Sequence, residues 1–279
     1  MAINSRSANE EAKLARVADA ASSVVRRVGR WLRYERQNIL SSEIENKNHG
    51  DFVSRADRTS DSMLREDLTT ILPGSGVISE EDSPLKGITN YRWIVDPLDG
   101  TSNYLTGLPT WAVSVALEDR TGVVEGWGDI VLGVIYLPEL DRMYTARQGA
   151  GVRLNGKLIN VSDIKLGRST VSHWWPMDNE KIMDDFCGMV KSLKPQVGAI
   201  RNLGCPAAEL AMIAEGTLEG FWATDMEPWD LAAGILMVEE AGGVTSDPWS
   251  GNPLDSGFPI AGNREIVNLI RSSFLKEND

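Results

Sequence analysis

Histidine and cysteine are scarce: His49, His173, Cys187 and Cys205 are the whole supply in 279 residues. Scattered so, they offer neither a disulfide framework nor the paired spacing of a zinc site. Neither histidine stands beside a serine or cysteine in a nucleophile motif, which removes the histidine-based triads. No apolar run approaches the roughly 18 residues of a membrane span. The opening stretch, MAINSRSANEEAKLARVADAA, carries acids and no continuous apolar core, unlike a secretory signal. The expected location is cytoplasmic, with no membrane partner. Basic charge is also short, with 28 Lys and Arg against 40 Asp and Glu, a net charge of −12. No surface for displacing counterions from a nucleic acid is evident, so none is expected as a partner. An anionic substrate would be repelled as well, unless bound cations reverse the local field.

What is present suits a globular protein with a substantial core, since 42% of residues are hydrophobic and 24% charged. Leu14, Val17, Ala18, Ala21, Val24 and Val25 recur at helical spacing, predicting a long amphipathic helix from about Asn9 to Tyr34. A second helix is expected from Asp61 to Ile71, closed by Pro73-Gly74. VISEEDSP, YRWIVD and TWAVSVALED read as strands, the first running into an acidic loop. Hairpins follow between Gly126 and Val161, turning at Pro138 to Asp141 and at Asn155-Gly156. Strand-like and helix-like segments then alternate: STVSHWW, KIMDDFCGMVKSL, AIRNLG, PAAELAMIAEG. The last clear helix is DLAAGILMVEEAGG, with Asp230 at its N-cap and Gly242-Gly243 at its end. The mixture predicts layered α+β or α/β sheets. Two lobes are expected in one compact unit, residues 1–165 and 166–279.

Acid gathers in three places: Glu80-Glu81-Asp82, Asp96 with Asp99, and Asp230. Each stands at a strand end or a helix start. In YRWIVDPLDGTSN the apolar run Trp93-Ile94-Val95 breaks off at Asp96, and Asp99 follows three residues later. Taken singly, each has an ordinary reading: DPLDG as a turn, Asp230 as a cap, Glu80-Glu81 as a solvated loop. Jointly they demand neutralisation, because unpaired buried charge costs several kcal/mol. Oxygen ligands without histidine or cysteine point to Mg²⁺ or Mn²⁺. Gly100-Thr101-Ser102 adds a small backbone and hydroxyls suited to a phosphate at a helix N-terminus. Metal-holding acids beside phosphate donors are what two-metal phosphoryl chemistry requires.

DPLDGTSNYLTGLP and WDLAAGILMVEEAGG together resemble the two signature motifs of the inositol monophosphatase family. SEED resembles that family's Gly-Glu-Glu element, and DFVSRAD (Asp51 to Asp57) its early Asp-x-Val-Thr-x-x-Asp element. The likeness spans roughly residues 45 to 265, in order. It implies a layered α/β/α/β/α sandwich, a homodimer and Mg²⁺-dependent hydrolysis of a phosphate monoester, with lithium inhibition. By the same resemblance Glu80, Asp96 and the carbonyl of Leu98 would hold one Mg²⁺. Asp96, Asp99 and Asp230 would hold a second, and Glu80 would help with a weaker third. Thr101, oriented by Asp51, would sit with Glu80 around the attacking water. Gly100, Thr101 and Ser102 would bind the phosphate.

Departures from the inositol-specific members bear on the substrate. A glutamate seven residues before the last metal aspartate contacts substrate hydroxyls in those enzymes; Ala223 stands there in this chain, with Asp225 and Glu227 nearby but offset. The substrate-side Gly-Thr-Ala becomes Gly204-Cys205-Pro206, and a bulky HWWP (His173 to Pro176) falls where small polar residues are common. Trp174 and Trp175 suit either a core or a pocket wall. The expectation is therefore a small sugar (pentose or hexose) or cyclitol phosphate, with an inositol-1-phosphatase or a bisphosphate nucleotidase of the same family as alternatives. The haloacid-dehalogenase class fits poorly, since its aspartates are two apart and it lacks a WDLAAG partner. A binding-only regulator on the same scaffold is the remaining alternative, although the expected ligands and Thr101 are all present.

Overall fold

The computed structural model describes residues 7–36, 44–46, 52–174 and 180–276. Helix α1 (Ala8–Arg36) buries Leu14, Val17, Ala18, Ala21, Val25, Val28 and Leu32 along one stripe. Each fully buried Val or Leu contributes about 1.5–3 kcal/mol. Gly29 lies in that stripe because a Cβ would stand 2.6 Å from the Tyr136 ring. Strands β1 (Ile44–Asn46) and β2 (Phe52–Ser54) form a small antiparallel pair. Helix α2 (Arg55–Ile71) follows at once, six residues before its expected start. Its first buried positions are Ala56, Asp57, Ser60 and Asp61, so polarity concealed the inward face.

Seven strands make the first sheet: β3 (Gly76–Ser79), β4 (Tyr91–Asp99), β5 (Ala112–Asp119), β6 (Asp129–Leu137), β7 (Arg142–Arg147), β8 (Gly151–Leu154) and β9 (Lys157–Ile159). They pair in sequence order, parallel only between β3 and β4. The hairpin at Asn155-Gly156 forms as expected, both residues having positive φ (47° and 83°) as a tight two-residue turn demands. The second sheet contains β10 (Thr170–His173), β11 (Ala199–Arg201), β12 (Gly220–Trp222), β13 (Val244–Ser246) and β14 (Ile260–Gly262), in the order β11-β10-β12-β14-β13. The remaining helices are α3 (Thr101–Thr106), α4 (Glu180–Leu193), α5 (Pro206–Ala214), α6 (Pro228–Glu240), α7 (Pro253–Ser256) and α8 (Arg264–Lys276).

Five layers result. Helices α1 and α2 cover one face of the first sheet, α5 and α6 fill the space between the sheets, and α4 and α8 cover the far face of the second. The expected α/β/α/β/α sandwich is what the chain forms. Strand β4 shows why: Trp93 and Val95 point to the α1/α2 core, while Ile94 points to the α5/α6 core. With both faces covered, β5 is buried from Ala112 to Glu118, so it reads as an apolar run with little alternation.

Two expectations near the C-terminus need correction. Helix α6 begins at Pro228, with Glu227 at the N-cap and Asp230 at N3. Proline suits the first helical position, and Glu227 and Asp230 bond each other's backbone N–H as a capping box. The last helix is α8, beyond the DLAAGILMVEEAGG segment.

Candidate active site

The parallel pairing of β3 with β4 sets Ser79 opposite Val95, and the Glu80 N–H donates to the Val95 carbonyl at 3.3 Å. Glu80 therefore leaves its strand beside Asp96. Strand β4 runs on past its expected end to Asp99. Its pairing with β5 shifts between Asp96↔Ser114 and Asp99↔Ala112, three steps on one strand against two on the other. Pro97, which has no N–H to give a ladder, sits within this bulge. Asp96 and Asp99 are 1% and 6% exposed, and Leu98 between them is 2% exposed.

Gly100 then turns the chain at φ +83°, the left-handed region, and α3 starts at Thr101. A side chain at Gly100 would meet the Cys205 Cβ and the carbonyls of Gly204 and Thr110, each at 3.1 Å. Thr101 Oγ1 donates to the Leu98 carbonyl at 3.0 Å, and Ser102 is exposed. The structure thus brings Glu80, Asp96, Leu98, Asp99, Gly100, Thr101 and Ser102 onto one strand-to-helix corner.

Asp99 reaches across to α5, which follows the second sheet's β11 in the chain. Its Oδ2 accepts the Ala207 N–H at 2.6 Å and the Cys205 thiol at 3.1 Å, at the N-terminus of α5. Cys205, expected on the substrate side, is fully buried with its thiol directed at the Asp99 carboxylate. Gly204, at φ +71°, packs against Asn103. The Asn103 amide donates to the carbonyls of Thr110 (2.6 Å) and Leu203 (2.7 Å). Asp230 Oδ2 accepts the Glu227 N–H at 2.9 Å.

These acids perturb one another. Burial and the charges of Glu80, Asp99 and Asp230 push the Asp96 carboxyl well above the usual carboxylate range. Burial and the charges of Asp99 and Glu80 do the same to Asp230. Burial lifts Asp99 to about 6, although bonds from Cys205, Ala207 and Gly100 favour its charged form. Among the described residues no three His, Cys, Asp or Glu side chains already stand at the spacing of a metal centre. Asp99 and Asp230 each commit an oxygen to a backbone N–H, and so does Asp96, whose Oδ1 accepts from Leu98 at 2.9 Å. The donor set nevertheless fits a hard divalent cation: oxygen ligands brought together from four places in the chain, two of them, Asp96 and Asp99, buried, with Asp230 half-buried and Glu80 exposed.

Asp51 lies outside the described residues, as do Trp175 and Pro176. Asp57, in the same DFVSRAD element, is 1% exposed in the first turn of α2, and its charge helps to raise the Tyr104 phenol on α3. Its place in the motif gives no sign of this burial. Ala223 is 3% exposed at the end of β12, its N–H bonded to the Pro259 carbonyl. Asp225 is exposed at φ +60°, and the Glu227 carboxylate is taken up by the α6 cap. Trp174 packs against the α5/α6 core, and His173 packs against Phe186 and Trp222 with its ring tilted to both.

A layered sandwich whose buried acids meet a left-handed glycine and a hydroxyl-bearing helix start is built for phosphoric monoester hydrolysis. The model of the inositol monophosphatase family matches residues 13–274, and the chain belongs to that family, a metal-dependent group of phosphatases. An inositol-1-monophosphatase of Mesorhizobium japonicum is 37% identical over 253 residues, covering 90% of this chain and 92% of its own. A fructose-1,6-bisphosphatase/inositol-1-monophosphatase of Aquifex aeolicus is 35% identical over 243 residues, covering 87% and 89%. The crystal structure of the extragenic suppressor protein suhB from Bartonella henselae superposes with a TM-score of 0.85 at 33% identity, over 93% of this chain and 98% of that one. Among the described residues no helix is long and apolar enough to cross a membrane.

Proposed function

We propose that the chain hydrolyses a small sugar or cyclitol phosphate, a pentose or hexose phosphate before inositol 1-phosphate, with Mg²⁺ held by Glu80, Asp96, the Leu98 carbonyl, Asp99 and Asp230. The convergence of those acids beside Gly100 and Thr101 carries the reading. Two to three Mg²⁺ bound there, with Mn²⁺ as a substitute, would polarise the phosphate and supply an activated water. The chain's own part is positional. The bulge at Pro97 aims Asp96 and Asp99 from one strand, and the α6 cap aims Asp230 from another element. Thr101 keeps its hydroxyl against the Leu98 carbonyl, next to the N–H groups that open α3. The acid that orients Thr101 comes from the DFVSRAD element: Asp51 by the motif, with Asp57 supported by its burial beside α3.

The preference against inositol phosphate rests on Ala223, whose methyl group offers no acceptor to a substrate hydroxyl. The lobes 1–165 and 166–279 act as one unit, because α5 and α6 pack against both sheets, and a homodimer is the assembly that membership of the family supports. Phosphate release from a panel of sugar, cyclitol and nucleotide phosphates, each with Mg²⁺ and with chelator, tests the proposal. Chelator-sensitive release from the sugar phosphates is expected. A second reading, a binding-only regulator, draws on the likeness to a suhB suppressor protein. Folded protein that releases phosphate from none of the panel, with Mg²⁺ present, would favour it.

A further inference from the structure

Helix α5 is buried from Pro206 to Ala214, and within it stands one acid, Glu209, with no measurable exposure. It has no place in the proposed chemistry. Its Oε1 accepts the Leu203 N–H at 2.5 Å, and its Oε2 is buried without a hydrogen-bond partner. Burial, helped by the charge of Asp99, holds the carboxyl well above its ordinary range, with the Leu203 N–H and, less strongly, the Gly204 N–H opposing. An acid in such a place costs free energy that an apolar residue would not. Its contact explains why the position is not apolar.

Leu203 lies in the four-residue loop, Asn202 to Cys205, that delivers the chain from β11 into α5. The loop's Gly204 carbonyl and Cys205 Cβ close around Gly100, and Cys205 with Ala207 holds Asp99. The Leu203 carbonyl is fixed by Asn103 (2.7 Å) and by Thr110 Oγ1 (3.2 Å). Its N–H is fixed by Glu209. One peptide-bonded residue is thus clamped on both sides, and the clamp lies behind the Cys205 and Ala207 contacts that hold Asp99 against α5.

We propose that Glu209 is a positioning residue for the metal centre: by accepting the Leu203 N–H it sets the loop segment Leu203–Cys205, and through it the Cys205 and Ala207 donors, against Asp99. This deepens the reading of Asp99 as a Mg²⁺ ligand and rests on it. Partners of this kind behind a metal ligand are worth roughly 10–100-fold in metal affinity. An acceptor, not a charge, is what the clamp needs, so glutamine serves and leucine does not.

The test uses the full chain and Mg²⁺ itself, with binding followed by calorimetry, the Mg²⁺ concentration for half-maximal phosphate release measured in parallel, and Tm recorded in chelator. Glu209→Gln is expected to bind Mg²⁺ within about twofold of the parent, and Glu209→Leu about tenfold or more weakly. Should Glu209→Leu fold poorly, Glu209→Asp replaces it, since its carboxylate is one methylene short of Leu203. Parental Mg²⁺ binding in the Leu or Asp variant, with only Tm lowered, would overturn the proposal. So would equal losses in the Gln and Leu variants. Asp99→Asn separates the two levels: if it binds Mg²⁺ like the parent, the assignment of Asp99 itself fails, whatever Glu209 does.

Discussion

The Asp99 carboxylate rests on the N-terminus of α5: the Ala207 N–H meets its Oδ2 at 2.6 Å, across 108 residues of sequence. A helix N-terminus stabilises negative charge, so this contact favours the ionised form a cation needs while burial opposes it. Replacement by asparagine keeps an acceptor for Ala207 and removes the charge. Asp99→Asn should therefore fold, with a Tm in chelator no lower than the parent's, while turnover falls by about 100-fold or more through weakened Mg²⁺ binding. A variant with near-normal activity and unchanged Mg²⁺ dependence would remove Asp99 from the ligand set.

Protons and Mg²⁺ should compete for the acid cluster. Asp99 is raised to about 6, and Asp96 and Asp230 stand above the usual range. A carboxyl whose folded value exceeds its unfolded value holds a proton more tightly in the folded chain. Without metal, stability is therefore lost as pH rises from the unfolded value of about 4 through the folded one. Bound Mg²⁺ displaces those protons and restores stability where they have left. The increase in Tm caused by 5 mM-scale Mg²⁺ should be small near pH 5 and large near pH 8, on the order of several degrees. Equal increases at both pH values would show that the cluster holds no protons to displace.

Ala223 yields a prediction about substrate. A hydrogen bond to a charged acceptor is worth about 1.5–3 kcal/mol, and alanine forfeits it, a factor of roughly ten to a hundred in kcat/KM. A pentose or hexose phosphate should therefore be turned over more efficiently than myo-inositol 1-phosphate. The relatives named for inositol-1-monophosphatase make the comparison a sharp one. A clear preference for the inositol ester would mean that another group, such as Asp225 or Glu227, takes over the hydroxyl contact.

The corner that carries Asp96 and Asp99 was legible because it is one short local pattern: strand end and helix start fall within Trp93 to Ser102. The layered fold was legible for a similar reason, since buried strands such as Ala112 to Glu118 declare themselves as apolar runs. What escaped was carried by backbone groups or by distant residues. Nothing near Asp99 signals that an N–H of residue 207 will hold it, nor that Cys205 faces the carboxylate. Glu209 did leave a trace, the lone acid within PAAELAMIA, but its partner is a main-chain donor. The start of α2 was missed because its inward face is Asp57, Ser60 and Asp61. At α6, aspartate is a common N-cap, and Pro228 at the first helical position was the better marker of where the helix begins.

His173 should make the fold acid-sensitive. It is 5% exposed, with ring centroids 4.6 Å from Phe186 and 5.1 Å from Trp222. Burial lowers its pKa from 6.5 to about 4. Between those values the unfolded chain binds a proton that the folded chain refuses. Stability from this group is thus complete above about pH 6.5 and is lost as pH falls through 4, by about 3 kcal/mol in all, most of it by pH 4.5. The acid cluster pulls the other way, since its raised carboxyls favour the folded chain at low pH, so the effect of His173 must be isolated by difference. His173→Phe keeps an aromatic ring among aromatic neighbours and removes the titration. Urea unfolding at pH 7 and pH 4.5 should show the parent losing about 2–3 kcal/mol more than the variant on acidification. Equal losses would mean that His173 takes up its proton in the folded chain as readily as in the unfolded one, and that its burial among Phe186 and Trp222 leaves room for the charge.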